Sequence, residues 1–477
     1  MPTYKSPGVY IEEISVFPPS IAAVETAIPA FIGYTEKAED ANGDSLEYVP
    51  TRITSLLEYQ QYFGGAEIKA LSVDVVQSAT GITVSFSTDP GLPDQFLYYS
   101  MQLFFANGGG PCYIVSIGDY TDAAAAAQSH FLGAAGPPIV PNVFTLLESE
   151  DEPTLLIFPD ATLLSDAGYA AVANAALAHC NKMQDRFTIA DVRNAIPGQT
   201  DTNAEVTNNF RNLVTGEPKY GAAYFPYVAT SLPWRTDDTQ ITVASHTGAP
   251  TAAETVAAGS TLDTIKTTHT AVYNAVKQFI DTASVTLPPS GGVAGVYARV
   301  DASRGVWKAP ANVSLVNVIE PAVKITNDLN DGLNIDATSG KSVNAIRSFS
   351  GKGTLVWGAR TLAGNDNENR YIPVRRWLIF AEESIKKAIA AFVFEPNDAA
   401  TWVKVRSMIE SFLTRQWRDG ALAGAKPEHA FYVLVGLNKT MTADDILNGY
   451  MIVEIGVAIV RPAEFIVLRF AQKMQES

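Results

Sequence analysis

Apolar and polar residues follow different rhythms along this 477-residue chain, and each rhythm predicts an element. Residues 54–63 and 95–106 carry large apolar side chains at helical spacing and run into Gly64-Gly65 and Asn107-Gly108-Gly109-Gly110, which end helices. Residues 112–117, 154–158, 187–191 and 222–227 are short, continuous apolar runs, the pattern of strands buried on both faces. The stretch 21–34 reads as a further apolar strand. An alanine-rich helix at 167–184 separates two of these strands, and strand–helix–strand at that spacing requires parallel pairing. Further helices are predicted at 271–280, 377–394 and 401–417. The last has Val405, Met408, Ile409, Phe412 and Leu413 on one face and Asn397 or Asp398 as its cap. The fold class is α/β with α+β elements, in more than one domain.

The two ends read differently. Residues 1–14 (MPTYKSPGVYIEEI) cannot be helical through Pro2 and Pro7, and beyond Pro7 they alternate as a strand does. Residues 451–470 form two β-branched runs separated by Pro462. Neither end has an obvious partner strand beside it, and a lone strand exposes a row of unpaired amides and carbonyls. Pairing between chains, by addition of a strand to a neighbour's sheet, resolves this. The candidate pairing residues are Gly8, Val9, Tyr10, Ile11, Glu12 and Ile14 at one end, with Glu464, Phe465, Ile466, Val467, Leu468 and Phe470 at the other. Two such arms predict the subunit of a polymer.

Other segments give weaker rhythms. Residues 236–287, rich in Thr, Ala, Ser and Asp, read as a peripheral insertion, and 201–217 as a polar loop. The Gly- and Pro-dense stretch 287–312 reads as a close-packed irregular loop, and 353–362 as a strand carrying Trp357 and Arg360.

Length alone predicts at least two domains. The net charge of −16 argues against nucleic acid as the main partner, because phosphate binding needs a basic surface. Cys112 and Cys180 are too few for a disulfide framework and too far apart for a metal site. No secretory signal and no membrane-length apolar run is visible, which predicts cytoplasmic synthesis and no direct membrane insertion. Residues 341–477 hold 18 Lys+Arg and 14 Asp+Glu, a net of +4, leaving −20 for the remainder. Lys404, Ser411, Arg415 and Arg418 share one face of the 401–417 helix, a face that either is simply solvated or meets another protein. Catalytic patterns are missing. The five histidines are scattered, no G-x-S-x-G elbow occurs, and Gly351-Lys352-Gly353-Thr354 lacks the spacing of a phosphate loop. No catalytic residue, metal ligand or cofactor site is predicted.

Several segments carry a resemblance that spans nearly the whole chain in order. They are SPGVYIEEI at 6–14, FFANGGGPCYIV at 104–115, PPSGGVAGVYARVDASRGVWKAPAN at 288–312 and VWGARTL at 356–362. RYIPVRRW at 370–377, FEPND at 394–398, FLTRQWRDGALAG at 412–424 and DILNGYMIVEIGVAIVRPAEFIVLRF at 445–470 complete the set. The chain resembles the contractile tail sheath family of phages, tail-like bacteriocins and related injection systems, with 236–287 as its chief departure. The resemblance implies a non-enzymatic subunit that stacks in six-membered rings around an inner tube and contracts to drive that tube through a target envelope. Its implied partners are further copies of itself, the tube protein, and baseplate and terminator or cap proteins. Assembly would be cytoplasmic, ahead of release or envelope association. The opening segment is more similar to tail-like injection systems than to a phage virion tail. The implied organisation is an N-terminal arm at 1–20, an inner domain of 21–34 plus 341–461, an outer α/β domain at 35–340, and a C-terminal arm at 462–477. Lys404, Arg415 and Arg418 are the candidate tube-facing residues.

Overall fold

The computed structural model describes residues 21–123, 127–135, 139–196, 202–248, 251 and 254–469. Among the described residues the organising element is a nine-stranded sheet. Its spatial order is Val313–Ser314, Gly353–Val356, Val343–Phe349, Gly221–Phe225, Phe187–Asp191, Leu155–Ile157, Pro29–Thr35, Cys112–Asp119 and Thr51–Ile53. The six strands from Val343–Phe349 to Cys112–Asp119 run parallel, and the antiparallel strands lie at the two edges. Every residue of Pro29–Thr35, Leu155–Ile157, Phe187–Asp191 and Gly221–Phe225 is buried. That is why these strands were legible as unbroken apolar runs. Helix Asp166–Met183, capped by Ser165, crosses between Leu155–Ile157 and Phe187–Asp191, which pair in parallel as expected.

The largest departure from expectation is 287–312. Ser290–Arg304 is a helix, almost wholly buried through its first eight residues. Its glycines are the reason both for the misreading and for the packing. A Cβ at Gly291 would lie 2.5 Å from the Ser100 carbonyl oxygen, and one at Gly295 would lie 2.5 Å from that of Phe104. Glycine has poor intrinsic helix propensity. Here it lets this helix press backbone to backbone against helix Leu97–Ala106, and burial decides the conformation.

A four-stranded sheet also went unread. Leu71–Ser78 and Gly81–Phe86 form a hairpin, and Ile241–Thr247 from the supposed insertion pairs in parallel with Leu71–Ser78. Helix Thr270–Thr282 buries Val272, Val276 and Ile280, while Phe279 meets Phe86 with ring centroids 4.8 Å apart. Residues 236–287 are thus the second half of a small α/β layer whose first half lies at 71–86. The 201–217 loop contains helical turns at Thr202–Val206 and Thr207–Arg211. Arg211 is buried there and donates to the carbonyls of Gly332, Leu333 and Lys341. The strand expected over 353–362 ends at Val356, and Trp357 and Arg360 follow it.

The described residues divide into two compact units: 21–24 with Ala381–Val460, and Glu25–Phe380 with 461–469. The chain therefore passes between units three times, at 24/25, 380/381 and 460/461. These divisions differ from the expected 34/35 and 340/341. Pro29–Thr35 is an interior strand of the nine-stranded sheet, and the hairpin Val343–Val356 belongs to the same sheet, so neither is separable from the larger unit. In the smaller unit, Asp398 caps helix Ala399–Arg418, as expected, by accepting from the Thr401 amide. Asn397 accepts from the Trp402 indole at 2.7 Å and donates to the Tyr450 carbonyl at 2.9 Å. Val24 donates its amide to the Ser384 hydroxyl at 3.2 Å, and Ile21 is buried.

Candidate functional site

Strand Val453–Val457 pairs antiparallel with Phe431–Val435 of the same chain, in register from Val453↔Val435 to Val457↔Phe431. Backbone bonds from Ala423 to Ala458 and from Val460 to Ala421 extend the attachment. Residues 451–460 therefore have an internal partner, contrary to the expectation of an orphan strand there. Among the described residues, the C-terminal stretch without a strand partner starts only after Val460. The partner, some twenty residues upstream, is the apolar run FYVLV, and nothing within that run shows which segment it pairs with.

Beyond Val460, Glu464 is, among the described residues, the one candidate arm residue whose side chain is bound to the body. Its carboxylate accepts from Arg360 Nε at 2.9 Å and Nη2 at 2.6 Å, from Asn334 Nδ2 at 2.8 Å and from the Tyr371 hydroxyl at 3.2 Å. Burial works to raise the Glu464 pKa, and the hydrogen bonds from Arg360 and Asn334 more than offset it, so the group lies below its ordinary value. Glu464 is thus engaged by side chain with its own subunit. The next four residues are the opposite: Phe465, Ile466, Val467 and Leu468 are 69%, 78%, 75% and 73% exposed, with no strand partner among the described residues. Gly8, Val9, Tyr10, Ile11, Glu12, Ile14 and Phe470 lie outside the described residues.

The cationic face of helix Ala399–Arg418 is present. Lys404, Arg415 and Arg418 are exposed, while Val405, Met408, Ile409, Phe412 and Leu413 are buried on the other side. The charge argument behind that face changes, however. Ala381–Val460 holds 8 Lys+Arg and 10 Asp+Glu, a net of −2. The cationic surplus lies at 341–380, with 7 Lys+Arg against 2 Asp+Glu, and Arg360, Arg375 and Arg376 among these are buried.

At the carboxyl ends of the parallel strands, where open α/β sheets commonly bind ligands at the point where strand order reverses, a side chain fills the space. The reversal falls between Pro29–Thr35 and Leu155–Ile157. There the buried Asp160 carboxylate accepts from the Tyr34 amide at 2.9 Å and from the Phe96 amide at 2.6 Å, at the start of helix Leu97–Ala106. One strand over, Asp191 accepts from the Ser290 amide at 2.9 Å, at the start of helix Ser290–Arg304. Burial pushes Asp160 up to about 6 and Asp191 up to about 7, against the lowering effect of those hydrogen bonds. Both carboxylates are consumed in holding helix starts. Among the described residues no cluster of His, Cys, Asp or Glu has metal-binding geometry, and no helix is long and apolar enough to cross a membrane.

Two arginine–carboxylate pairs were missed by sequence reasoning. Besides Arg360–Glu464, Arg376 binds Asp301 at 2.6 Å, stacks 4.6 Å from the Tyr297 ring centre and donates to the Thr26 carbonyl. RYIPVRRW and YARVDASR contain the partners, but nothing in either motif names the other.

The family model for the phage tail sheath C-terminal domain matches residues 365–473. The tail sheath protein of Burkholderia phage BcepMu is 29% identical over 144 residues, 29% of this chain, and that match spans only 30% of the phage protein. Solved structures match over the full length. The helical sheath of the anti-feeding prophage in its contracted state is 33% identical, covering 99% of this chain and 100% of that one, with a TM-score of 0.63. The sheath of the extracellular contractile injection system PVC, also contracted, is 30% identical, with 99% of both chains covered and a TM-score of 0.65.

Proposed function

This chain belongs to the contractile sheath family of phage tails and extracellular injection systems, and we propose on that basis that it is the building block of an injection-system sheath. Copies would stack as six-membered rings around an inner tube and attach to a baseplate and a terminal cap. The array would contract to drive the tube through a target envelope without nucleotide, cofactor or catalysis. The observation that carries this reading is the end-to-end likeness to injection-system sheaths, against a match to the phage protein confined to 29% of the chain. Assembly in the cytoplasm followed by release as part of an extracellular particle fits the same relatives.

Within this reading the two chain ends are inter-subunit arms. Residues Gly8–Ile14 and Phe465–Phe470 would each add to a sheet of another copy. Exposure of four consecutive apolar side chains at 465–468 supports this, because such a run is otherwise an aggregation hazard. Each backbone hydrogen bond contributes only about 0.5–1.5 kcal/mol net, so the stabilisation comes from the repeated set and the apolar side chains it buries. The smaller unit would line the tube, with Lys404, Arg415 and Arg418 as its contact. Exposed ion pairs are worth about 0–1 kcal/mol each, weak enough for contraction to release the tube ring by ring.

Electron microscopy of the concentrated, purified protein tests the assignment. Tubes or cogwheel rings are expected. Uniformly dispersed single subunits at every concentration would overturn it.

A further inference from the structure

The carboxylate of Glu464 sits in a receptor whose residues are also held by bonds that do not involve Glu464. Arg360 is held by its own backbone: its amide donates to Asn344 Oδ1 at 2.8 Å, and its carbonyl accepts from Asn344 Nδ2 at 2.8 Å. Its Nη1 reaches the Asn334 carbonyl at 3.3 Å, and that carbonyl also accepts from the Ser342 hydroxyl at 2.6 Å. Tyr371 is set opposite Arg360 by a backbone bridge. The three donors therefore come from the end of helix Asn327–Asn334, the turn after strand Gly353–Val356, and the residue preceding helix Ile372–Ile389. All belong to the same compact unit as the segment beyond Val460.

The burial pattern is inverted relative to what solvation favours. The charged Arg360 side chain is 4% exposed and Glu464 21%, while the four apolar residues that follow are about three-quarters exposed. An apolar run that packed on its own body would need no ionic tether. A charged tether immediately before a run that leaves the body has a different use. A bidentate guanidinium–carboxylate contact is directional as well as strong, so it fixes both a point and a heading.

We propose that Glu464, seated in the Arg360–Asn334–Tyr371 receptor, is a positioning residue that sets where and in what register residues 465–468 leave their own subunit to pair with a second copy. This rests on the reading of the C-terminal segment as an inter-subunit arm. Strand side chains alternate between faces, so a slip of one residue at the root turns every arm side chain to the wrong face. The run of four covers about 13 Å when extended, too short to absorb an error at its origin.

Spin-label distance measurement on the dissociated full-length subunit, between nitroxides at Lys352→Cys and Val467→Cys, tests the anchor separately from the arm. Glu464→Gln is expected to broaden that distance distribution about twofold with the melting temperature of the subunit unchanged, and to lower the yield of ordered sheath. Arg360→Lys, which keeps the charge but loses the fork, is expected to give an intermediate broadening. An unchanged distribution in Glu464→Gln overturns the proposal. A matching fall in the melting temperature of the whole subunit also overturns it, because the residue would then be structural rather than positioning. The arm reading is judged by Ile466→Ser with Leu468→Ser. That double variant should leave the distance distribution unaltered and reduce polymerisation, and normal polymerisation would remove the arm while leaving the distance result to decide the anchor.

Discussion

Asp160 and Asp191 are carboxylates whose burial costs them their usual acidity, each accepting amide hydrogens where a helix begins. For Asp191, with its folded value raised from 3.8 to about 7, the folded protein holds a proton that the unfolded chain has released across that whole interval. Its favourable contribution is complete below about pH 4 and is lost as pH rises through 7, with a magnitude on the order of a few kcal/mol. Asp191→Asn keeps an oxygen for the Ser290 amide and cannot ionise. The melting temperature of the variant, relative to the unaltered protein, is therefore expected to rise between about pH 4 and pH 7 and to level off above that. Thermal melts across that range check this, and a difference independent of pH would show that Asp191 does not titrate there. Glu464 is the contrasting case, a carboxylate held below its ordinary value by Arg360 and Asn334 despite its burial. Neither behaviour is visible in the sequence, where all three are single acidic letters. The Arg360–Glu464 contact joins residues 104 positions apart, and no local pattern encodes such a separation.

Between elements, the tightest approach is that of helix Ser290–Arg304 to helix Leu97–Ala106 through Gly291 and Gly295. Adding a methyl group at either position requires the helices to separate. Overpacking of this kind costs about 1–3 kcal/mol, so Gly291→Ala and Gly295→Ala are each expected to lower the denaturant midpoint, measurable by urea titration. A double variant need not add, since the sites are neighbours. This contact explains which elements sequence patterns revealed. The parallel strands were readable because both faces are buried and every position is apolar. Helix Asp166–Met183 was readable because alanine favours helices intrinsically. Ser290–Arg304 was not, because its conformation is imposed by a partner helix nearly two hundred residues upstream, against the preference of its glycines. Leu71–Ser78 alternates apolar and polar residues from Leu71 to Val75, but Ile241–Thr247, the strand that completes its sheet, arrives much later in the chain. The attachment of 451–460 to Phe431–Val435 was not legible, because nothing in either segment names the other.

For the whole molecule, the boundary between units follows the sheet rather than the distribution of charge. With a net of −2 in Ala381–Val460, the proposed tube contact would rest on a local cationic stripe instead of a general surface. Replacing Lys404, Arg415 and Arg418 together by Glu is expected to impair assembly on the tube while leaving subunit melting unchanged. Particle counts by electron microscopy read the first and calorimetry the second. Normal extended particles from that variant would dismiss the assignment. Removing residues 1–14 is expected to abolish or freeze contraction in a subunit that still folds, read by comparing extended and contracted particle lengths with circular dichroism of the monomer.

The threefold passage of the chain between units has a mechanical consequence. Ile21–Val24 is built into the smaller unit although 25–380 belongs to the larger one, and the segment from Arg461 returns to the larger unit after 381–460 has formed the smaller. The two units are therefore joined by three covalent crossings of the chain instead of one. Even with the chain severed at 380/381, each fragment would keep a foothold in the other's unit. For a subunit of a contractile sheath, that pair of footholds is redundancy against rupture.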